Sequence, residues 1–501
     1  MGYINFDKSQ LINLEYSLKK EILRSNRAGS YSCTTIVGCN TRKYHGLLVA
    51  PMEHLDEDKH VLLSSLDVTV TQGDTEFNLG IHKYEGDNFT PKGHKYVRDF
   101  DINGIPKVVY RVGSLLLERE SVLVEKEERI LIKFTVEESS SSVTMKFRPF
   151  LAFRNMHALS KSNMFVNTKF RQCANGIRSK LYDGYPHLYM QFSKQSEFIP
   201  VPDWYYNIEY PREQERGYEY KEDLFVPGYF ELKMRKGESI VFSAGTKETT
   251  PATLKRKFTA EVNKRLVRED LKSFIKNSAE QFIVKKERTT EVIAGYPWYG
   301  SLRRDTFIAL PGLTLAQDDI PTFVHAMDTM IKKLKDCVFI SGITDQGNTF
   351  TSADGPLWLI WSLQQYYKLV GNAPEVWKKY SKTIKNILQC YRQSKLEGKV
   401  FMDESGLVKI TENGIPLTWM NAVVEGKPVV KRLGYVVEIN ALWYNAMRFA
   451  LELATASNDT KFIKAWKELP EKIETGFVNT FWSQEKAYLA DHVNGDYIDW
   501  S

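Results

Sequence analysis

Hydrophobic and polar residues alternate along much of the first half of the chain. The segment HVLLSSLDVTVTQG, residues 60–73, alternates and then reaches a turn. Residues 107–153 hold several similar stretches, separated by Gly113, by the charged run EKEER and by the serines at 139–142. A period of two residues broken by turn-forming residues is typical of half-buried β-strands. This half therefore predicts a large antiparallel β-sandwich, with residues 228–245 as its last hairpin.

The hydrophobic period becomes helical near residue 250. Residues 251–286 carry apolar side chains three and four positions apart, which predicts a connecting helix that opens on Pro251. Five later segments share this spacing: 320–336, 355–371, 373–396, 438–457 and 460–483. Short loops between such helices favour antiparallel neighbours. The predicted organisation is a β-sandwich domain at 1–248, a helical linker at 249–287 and a helical domain at 288–501.

Composition indicates a globular protein and argues against a nucleic-acid or membrane partner. The 501 residues are 43% hydrophobic and 26% charged, and 68 Lys and Arg against 62 Asp and Glu leave a net charge of +6. The most basic run, residues 254–270, interleaves acids at helical spacing, as a solvated helix face does. No apolar run approaches the roughly 20 residues of a membrane-spanning helix.

Cysteine usage and the N-terminus favour a cytoplasmic location. The five cysteines are odd in number and lack the CxxC or Cys/His spacing of a zinc site; they are Cys33, Cys39, Cys173, Cys337 and Cys390. Scattered cysteines of this kind are typical of a reducing compartment. The first 20 residues have no apolar segment of the kind found in signal peptides.

Five motifs are more specific than composition. They are CNTRKYHGLLVA at 39–50, AGYPWYGSLRRDTFIALPGLTLA at 294–316, SADGPLW at 352–358, LTWMNA at 417–422 and VEINALWYNA at 437–446. Their order and approximate spacing resemble those of the glycogen debranching enzymes of the bacterial, amylo-α-1,6-glucosidase type. The resemblance covers both halves of the chain, from about residue 15 to the last residue.

The resemblance implies a fold and a reaction. The fold would be an N-terminal β-supersandwich followed by a C-terminal (α/α)6 toroid. The reaction would be hydrolysis of α-1,6-linked glucose at branch points of glycogen or a related α-glucan, with inversion. Inversion requires one protonated carboxyl, which donates to the leaving oxygen, and one carboxylate that activates water on the opposite face. Such chemistry needs neither a metal nor an organic cofactor, so none is expected.

The resemblance places the general acid at Asn421, where the family pattern reads TWMDA and this chain reads TWMNA. An amide has no proton to donate, and loss of a general acid typically costs about 10²–10⁴ in rate. The alternative is that the family's aspartate is only structural and that asparagine serves as well. The general base is expected downstream of Ser501 and therefore absent from the chain, which makes the toroid apparently incomplete and the chain a truncated piece.

Four charged residues are implied to bind substrate. Arg304 and Asp305 either bind glucose hydroxyls or form a surface ion pair, and SLRRDT departs here from the family pattern WGRDT. Asp354 is expected to be a pocket carboxylate, a helix cap, or both. Glu438 either lines the site or stabilises the first turn of its helix.

Aromatic residues are divided between site and core. Trp298 and Trp419 are expected to bind substrate. Four others are expected to be core residues: Trp358, Trp361, Trp443 and Tyr444. The block with Arg42, Tyr44 and His45 either seals the domain interface or reaches toward the pocket, and the sequence does not decide between the two.

Three hypotheses about function follow. The chain is a debranching glycoside hydrolase of cytoplasmic carbohydrate metabolism, weakened by Asn421. Alternatively, it is a non-catalytic homologue that binds α-glucan, as the changes in SLRRDT and TWMN suggest independently of each other. A third hypothesis is a toroid glycosidase with another α-glucoside as its substrate.

Overall fold

The chain forms two compact units in a computed structural model. The first unit comprises Met1–Lys286 and Gly295–Tyr299, and the second comprises Glu287–Ala294 and Gly300–Ser501. The structure describes residues 3–56, 58–335, 338–344, 347–350, 352–393, 396 and 399–501.

Two large antiparallel sheets dominate the first unit. Sheet A has nine strands within the described ranges, in the spatial order Ile4–Asp7, Val97–Ile102, Pro106–Val112, Leu115–Leu123, Arg129–Glu138, Ser239–Gly245, Leu188–Phe192, Gly176–Ser179 and Phe170–Cys173. Sheet B has eight in the same ranges, in the order Glu197–Glu209, Lys221–Met234, Val143–Asn155, Lys59–Gln72, Gly46–Pro51, Tyr31–Thr35 and Glu21–Ser25, with Thr75–Asn78 paired to Lys59–Gln72.

One hydrophobic core draws side chains from both sheets. Phe134 of sheet A lies 5.1 Å from Phe147 of sheet B between ring centroids, and Phe147 lies 5.0 Å from Phe192 of sheet A. Strand Val143–Asn155 begins with alternately buried and half-buried residues, as the pleat of a strand requires. The β fold predicted for the N-terminal half is confirmed.

The predicted last hairpin at 228–245 is wrong. Lys221–Met234 pairs with Val143–Asn155 in sheet B, whereas Ser239–Gly245 pairs with Arg129–Glu138 in sheet A. The connection between them therefore crosses from one sheet to the other. Alternation looks the same in a hairpin and in a crossover, so the pattern could not distinguish the two.

The helical segment after sheet A is broken, whereas a single helix was predicted. It forms helices Leu254–Asn263 and Leu271–Phe282. Asp270 begins the second helix because its carboxylate accepts the Ser273 N–H at 2.7 Å, as an N-cap does. Leu254 and Phe258 pack into a small core with residues of sheet A. Most of the predicted linker thus belongs to the first unit.

Helices supply most of the hydrophobic core of the second unit, and a helical second half was predicted. The α-helices in its described part are Arg303–Leu313, Ile320–Lys332, Gly355–Val370, Ala373–Arg392, Val437–Ala456, Thr460–Trp466 and Leu469–Phe481. Helix Val437–Ala456 packs against four of the others and places Trp443, which is fully buried, in the core of the unit. Trp358, Trp361 and Tyr444 are partly buried against the same core. The predicted helix at 460–483 is two helices, the second of which has Pro470 in its first turn.

A small sheet in the second unit was not predicted. Its strands, in spatial order, are Val400–Met402, Val408–Ile410, Gly434–Val436, His492–Asn494 and Tyr497–Asp499. The other strands described in the second unit are Thr290–Val292, Leu334–Lys335, Val338–Thr344, Gly347–Phe350, Val423–Val424, Lys427–Pro428, Trp482–Ser483 and Tyr488–Leu489. The five-stranded sheet brings residues near 491 beside residues near 434.

Two predictions from the sequence concern membrane association and the redox state of the cysteines. None of the helices in the described ranges is long and apolar enough to cross a membrane. Cys33, Cys39 and Cys173 are free thiols, Cys390 is disulfide-bonded, and Cys337 lies outside the described residues. The cytoplasmic location stays a prediction.

Candidate functional site

A buried ion pair joins the starts of two helices in the second unit. Arg304 lies in the first turn of helix Arg303–Leu313 and forms an ion pair with Asp354. Asp354 directly precedes helix Gly355–Val370. The Arg304 Nε lies 2.6 Å from Asp354 Oδ2, and Nη2 lies 2.9 Å from Oδ1. Asp354 is only 2% exposed. A bidentate arginine–carboxylate pair of this kind fixes the orientation of both groups.

Two further donors complete the surroundings of the Asp354 carboxylate. The Ser352 hydroxyl donates to Oδ1 at 2.7 Å, and the indole N–H of Trp358 donates to Oδ2 at 3.3 Å. The side chain of Asp354 makes no capping hydrogen bond to the helix. The Ser352 hydroxyl instead accepts the Gly355 N–H at 3.0 Å. The Asp354 carboxylate is therefore fixed by donors from side chains and does not cap the helix.

The LTWMNA segment runs beside this pair. The Ala353 N–H donates to the Leu417 carbonyl at 2.8 Å, which places the segment next to Asp354. Trp419 is 55% exposed, and Asn421 is also exposed. The Asn421 N–H donates to the Trp419 carbonyl at 3.0 Å, while its side-chain amide has no hydrogen-bond partner among the residues that the structure describes. Asn421 is thus accessible to a ligand.

A second charged cluster surrounds Arg432 in the same unit. Its guanidinium pairs with Glu438 through both oxygens, one of them at 2.9 Å from Nη2. It also pairs with Asp491 at 2.9 Å from Nε and 2.6 Å from Nη2. The Arg432 side chain is 1% exposed. Burial lowers the pKa of Arg432, but its hydrogen bonds and charge interactions with the two carboxylates outweigh burial and raise it.

These pairs limit what each carboxylate can do. Asp354 accepts four hydrogen bonds, so its carboxylate is fixed in orientation. Glu438 lies in the first turn of its helix and also faces outward, with 28% of its side chain exposed. A partly exposed carboxylate that is already paired with arginine remains able to accept hydrogen bonds from hydroxyl groups.

Asp305 and Trp298 are not among the hydrogen-bond partners of the Asp354 side chain within the described residues. Asp305 is exposed, and the partner of Arg304 is Asp354 rather than Asp305, so the surface ion pair considered for Arg304 is wrong. Trp298 belongs to the first unit. There its ring lies 5.2 Å from the Arg42 guanidinium and 6.5 Å from the Tyr44 ring.

The loop that carries Arg42 and Tyr44 is held firmly within the first unit. The Tyr31 hydroxyl donates to the Tyr44 carbonyl at 2.8 Å. The Arg154 guanidinium donates to the Lys43 carbonyl at 2.7 Å. Donors from two strands of sheet B therefore fix the backbone of this loop before any ligand binds.

An ionised carboxylate anchors the start of that loop. Arg42 Nε lies 2.8 Å from Glu21 Oε1, and His45 Nε2 lies 3.6 Å from the same oxygen. Burial raises the pKa of Glu21, but interactions with His45 and Arg42 lower it more, to about 2. Glu21 therefore stays charged at every pH near neutrality and holds Arg42 in place.

In the part of the chain that the structure describes, two clusters have the residue types of a metal site, but neither suits a cation. They are Glu21 with Cys33 and His45, and Asp491 with His492 and Asp499. In the first, burial raises the pKa of the Cys33 thiol far above its usual value, whereas a metal requires the thiolate. Arginine already neutralises one carboxylate of each cluster.

Sequence reasoning missed Ser352, Trp358, Arg432 and Asp491 as site residues. Ser352 and Trp358 lie in a quoted motif, and their spacing of two and four residues from Asp354 was the available signal. Arg432 and Asp491 lie outside all five motifs, and only the small sheet brings them together.

Two family models match the chain. The glycogen debranching enzyme N-terminal family matches residues 20–241, and the amylo-alpha-1,6-glucosidase family matches residues 277–499. No curated protein matches. Among solved structures, the chain is similar to a bacterial glucoamylase complexed with acarbose, at 10% identity, with 95% of this chain and 68% of that chain covered and a TM-score of 0.48. That TM-score is too low to support a fold or a substrate.

Proposed function

Because the chain belongs to the glycogen debranching enzyme (amylo-alpha-1,6-glucosidase) family, a family of glycoside hydrolases, we propose that it hydrolyses α-1,6-linked glucose at branch points of glycogen or a related α-glucan. The helical unit would be part of an (α/α)6 toroid that holds this site. The observation that carries the proposal is the buried Arg304–Asp354 pair, which lies beside the LTWMNA segment.

Each residue of the second unit has a proposed task. Arg304 and Asp354 keep the starts of their helices in register, and the guanidinium N–H groups not used by Asp354 donate to glucose hydroxyls. Glu438, oriented by Arg432, accepts hydroxyl protons. The exposed ring of Trp419 stacks on the apolar face of a sugar ring, as aromatic side chains with one free face can. Asp305 would contact a more distant part of the glucan from its exposed position.

Position 421 would contact the glycosidic oxygen. The inverting reaction requires a proton there and a water molecule activated by a carboxylate on the opposite face of the sugar. The Asn421 amide donates a hydrogen bond but no proton, so the leaving group departs with little assistance. Hydrolysis would therefore be slow, and it would still require a carboxylate to activate the water.

The exposed amide of Asn421 also favours a second candidate function. A site that orients glucose but lacks a proton donor binds α-glucan without cleaving it. A non-catalytic glucan-binding protein is therefore the alternative, and it differs from the first proposal only in turnover.

The proposal is tested with phosphorylase-limit dextrin, whose branch stubs carry single α-1,6-linked glucose units. We expect slow glucose release by the wild-type chain, and a further loss of about 10²-fold in Asp354→Asn, because misplaced substrate contacts cost this much. Asp318→Asn is the matched control, because Asp318 is exposed and its left-handed backbone suits asparagine.

Three outcomes separate the candidates. Glucose release that Asp354→Asn abolishes and Asp318→Asn preserves supports the hydrolase. Co-sedimentation with glycogen without glucose release supports the binding protein. A chain that neither releases glucose nor sediments with glycogen contradicts both functions.

A further inference from the structure

Four arginines line one small cavity of the first unit: Arg24, Arg27, Arg265 and Arg268. The first two lie in or just after the edge strand of sheet B, and the other two connect the helices that follow sheet A. The basic run at 254–270 was interpreted as a solvated helix face, but Arg268 near its end is only 1% exposed. Like charges gathered around one cavity repel one another, so something must compensate them.

Acidic side chains compensate two of the four arginines. Arg27 forms an ion pair with Glu280, and Arg265 Nη2 lies 3.3 Å from Glu261 Oε2. Glu261 is also shared with Lys264, whose Nζ lies 2.6 Å from Oε1. These acids therefore neutralise Arg27 and only part of the charge around Arg265.

The other two arginines have no ion pair among the residues that the structure describes. Arg24 donates from Nη1 to the Leu23 carbonyl at 3.1 Å, and its buried Nε and Nη2 have no acceptor there. Arg268 donates from Nη2 to the Gly104 carbonyl at 3.0 Å and to Asn277 Oδ1 at 3.2 Å. Its buried Nε and Nη1 have no acceptor in the described residues. Both guanidinium groups thus keep unused donors beside the cavity.

Burial and mutual repulsion disfavour the charged forms of these two groups. Burial, followed by the charges of Arg268 and Arg265, lowers the pKa of Arg24 well below its usual value. Burial and the charge of Arg265 lower the pKa of Arg268 to about 10. Arg268 therefore still carries its charge near neutral pH. Because a buried charge without a counterion is costly, an anion bound at the cavity would stabilise this part of the unit.

The size of the cavity limits which anion can bind. The cavity leaves about 20 Å³ for the centre of a water-sized ligand, which is room for one small ion and little more. A sugar or a nucleotide is too large, and the arginines exclude a cation. Guanidinium N–H groups bind anions through charge-assisted hydrogen bonds. An ion of the size and charge of chloride meets both conditions.

We propose that Arg24 and Arg268, with Arg27 and Arg265 beside them, hold one chloride-sized monovalent anion in the first unit. The anion accepts hydrogen bonds from the unused N–H groups of Arg24 and Arg268. It thereby joins the edge strand of sheet B to the chain that enters helix Leu271–Phe282. The inference concerns the stability of this part of the first unit and does not depend on the proposed function.

Hydrogen–deuterium exchange of the full chain, measured by mass spectrometry, tests the site locally. Exchange is compared at about 1 mM and about 100 mM chloride, with methanesulfonate keeping the ionic strength constant because salt alone screens charges. Chloride should slow exchange in peptides that cover residues 21–25 and 271–282. The expected factor is about 10 for a Kd of about 10 mM, because a ligand of the folded state raises protection by one plus the ratio of its concentration to Kd.

Arg24→Met should abolish the effect of chloride, because it removes unused donors and costs only the hydrogen bond to the Leu23 carbonyl. Its melting temperature at low chloride should not fall, since a buried, uncompensated charge is removed. Arg256→Met is the matched control, because Arg256 is exposed on helix Leu254–Asn263. This control should keep the full effect of chloride.

Arg268→Gln is an independent variant that can still donate to the Gly104 carbonyl, and it decides the matter if Arg24→Met does not fold. It should also lose the effect of chloride. Exchange in the wild-type chain that does not respond to chloride overturns the site, as does a full chloride effect in either cavity variant. Protection by phosphate and not by chloride at equal ionic strength overturns the assignment to a small monovalent anion.

Discussion

Under the proposed function, residue 421 is the position that requires a proton donor, and this chain has an asparagine there. Asn421→Asp restores a carboxyl on the same exposed loop and is nearly isosteric. We expect the rate of glucose release from limit dextrin to rise by about 10²-fold or more, the contribution of a general acid. A bell-shaped pH dependence should appear with the added acid.

A matched substitution distinguishes acid catalysis from a change in loop charge. Asn413→Asp adds the same charge at another exposed position of the preceding loop and should leave the rate unaltered. If Asn421→Asp leaves the rate where it was, position 421 does not hold the general acid.

Residue types at the site could be predicted more readily than their partners. Arg304, Asp354 and the LTWMNA segment were selected by resemblance, and the structure brings them together. The partner of Arg304 was uncertain because Asp305 is adjacent in sequence, whereas Asp354 is 50 residues away and approaches only through helix packing.

Arg432 connects a helix of the second unit to the start of a strand. It joins Glu438 of helix Val437–Ala456 to Asp491, beside strand His492–Asn494. Arg432→Met keeps much of the apolar stem but leaves two carboxylates without their cation. We expect the free energy of unfolding to fall by about 3 kcal/mol, as when one partner of a buried ion pair is removed. Urea denaturation monitored by circular dichroism measures this change.

Lys431→Met is the control for Arg432→Met, because it removes a neighbouring positive charge from an exposed position. Its effect should stay within about 0.5 kcal/mol, as for most surface substitutions. Equal unfolding free energies for the two variants would mean that the cluster does not stabilise the unit.

Long elements could be predicted and short ones could not. Helices Gly355–Val370, Ala373–Arg392 and Val437–Ala456 are long enough for a helical period to repeat several times. The five strands of the small sheet have three residues each, which is too short to show alternation. That sheet nonetheless places Asp491 against Arg432, so the unpredicted elements position part of the candidate site.

At the scale of the whole molecule, the change from β to helical pattern near residue 250 marked the main difference in architecture. It did not mark the unit boundary, because helices Leu254–Asn263 and Leu271–Phe282 belong with the sheets. A hydrophobic pattern reports the local period and not which core receives the side chains. The short segment Gly295–Tyr299, which carries Trp298, also belongs to the first unit. The hydrophobic pattern could not show this either.

The most direct measurement is proton NMR of the glucose that the chain releases from an α-1,6-branched limit dextrin. The account predicts slow release in which the β-anomer appears first and then mutarotates, because inversion at an α-linked carbon gives the β product. Initial release of the α-anomer would contradict the inverting mechanism. Glycogen binding without any released glucose would contradict the hydrolase itself.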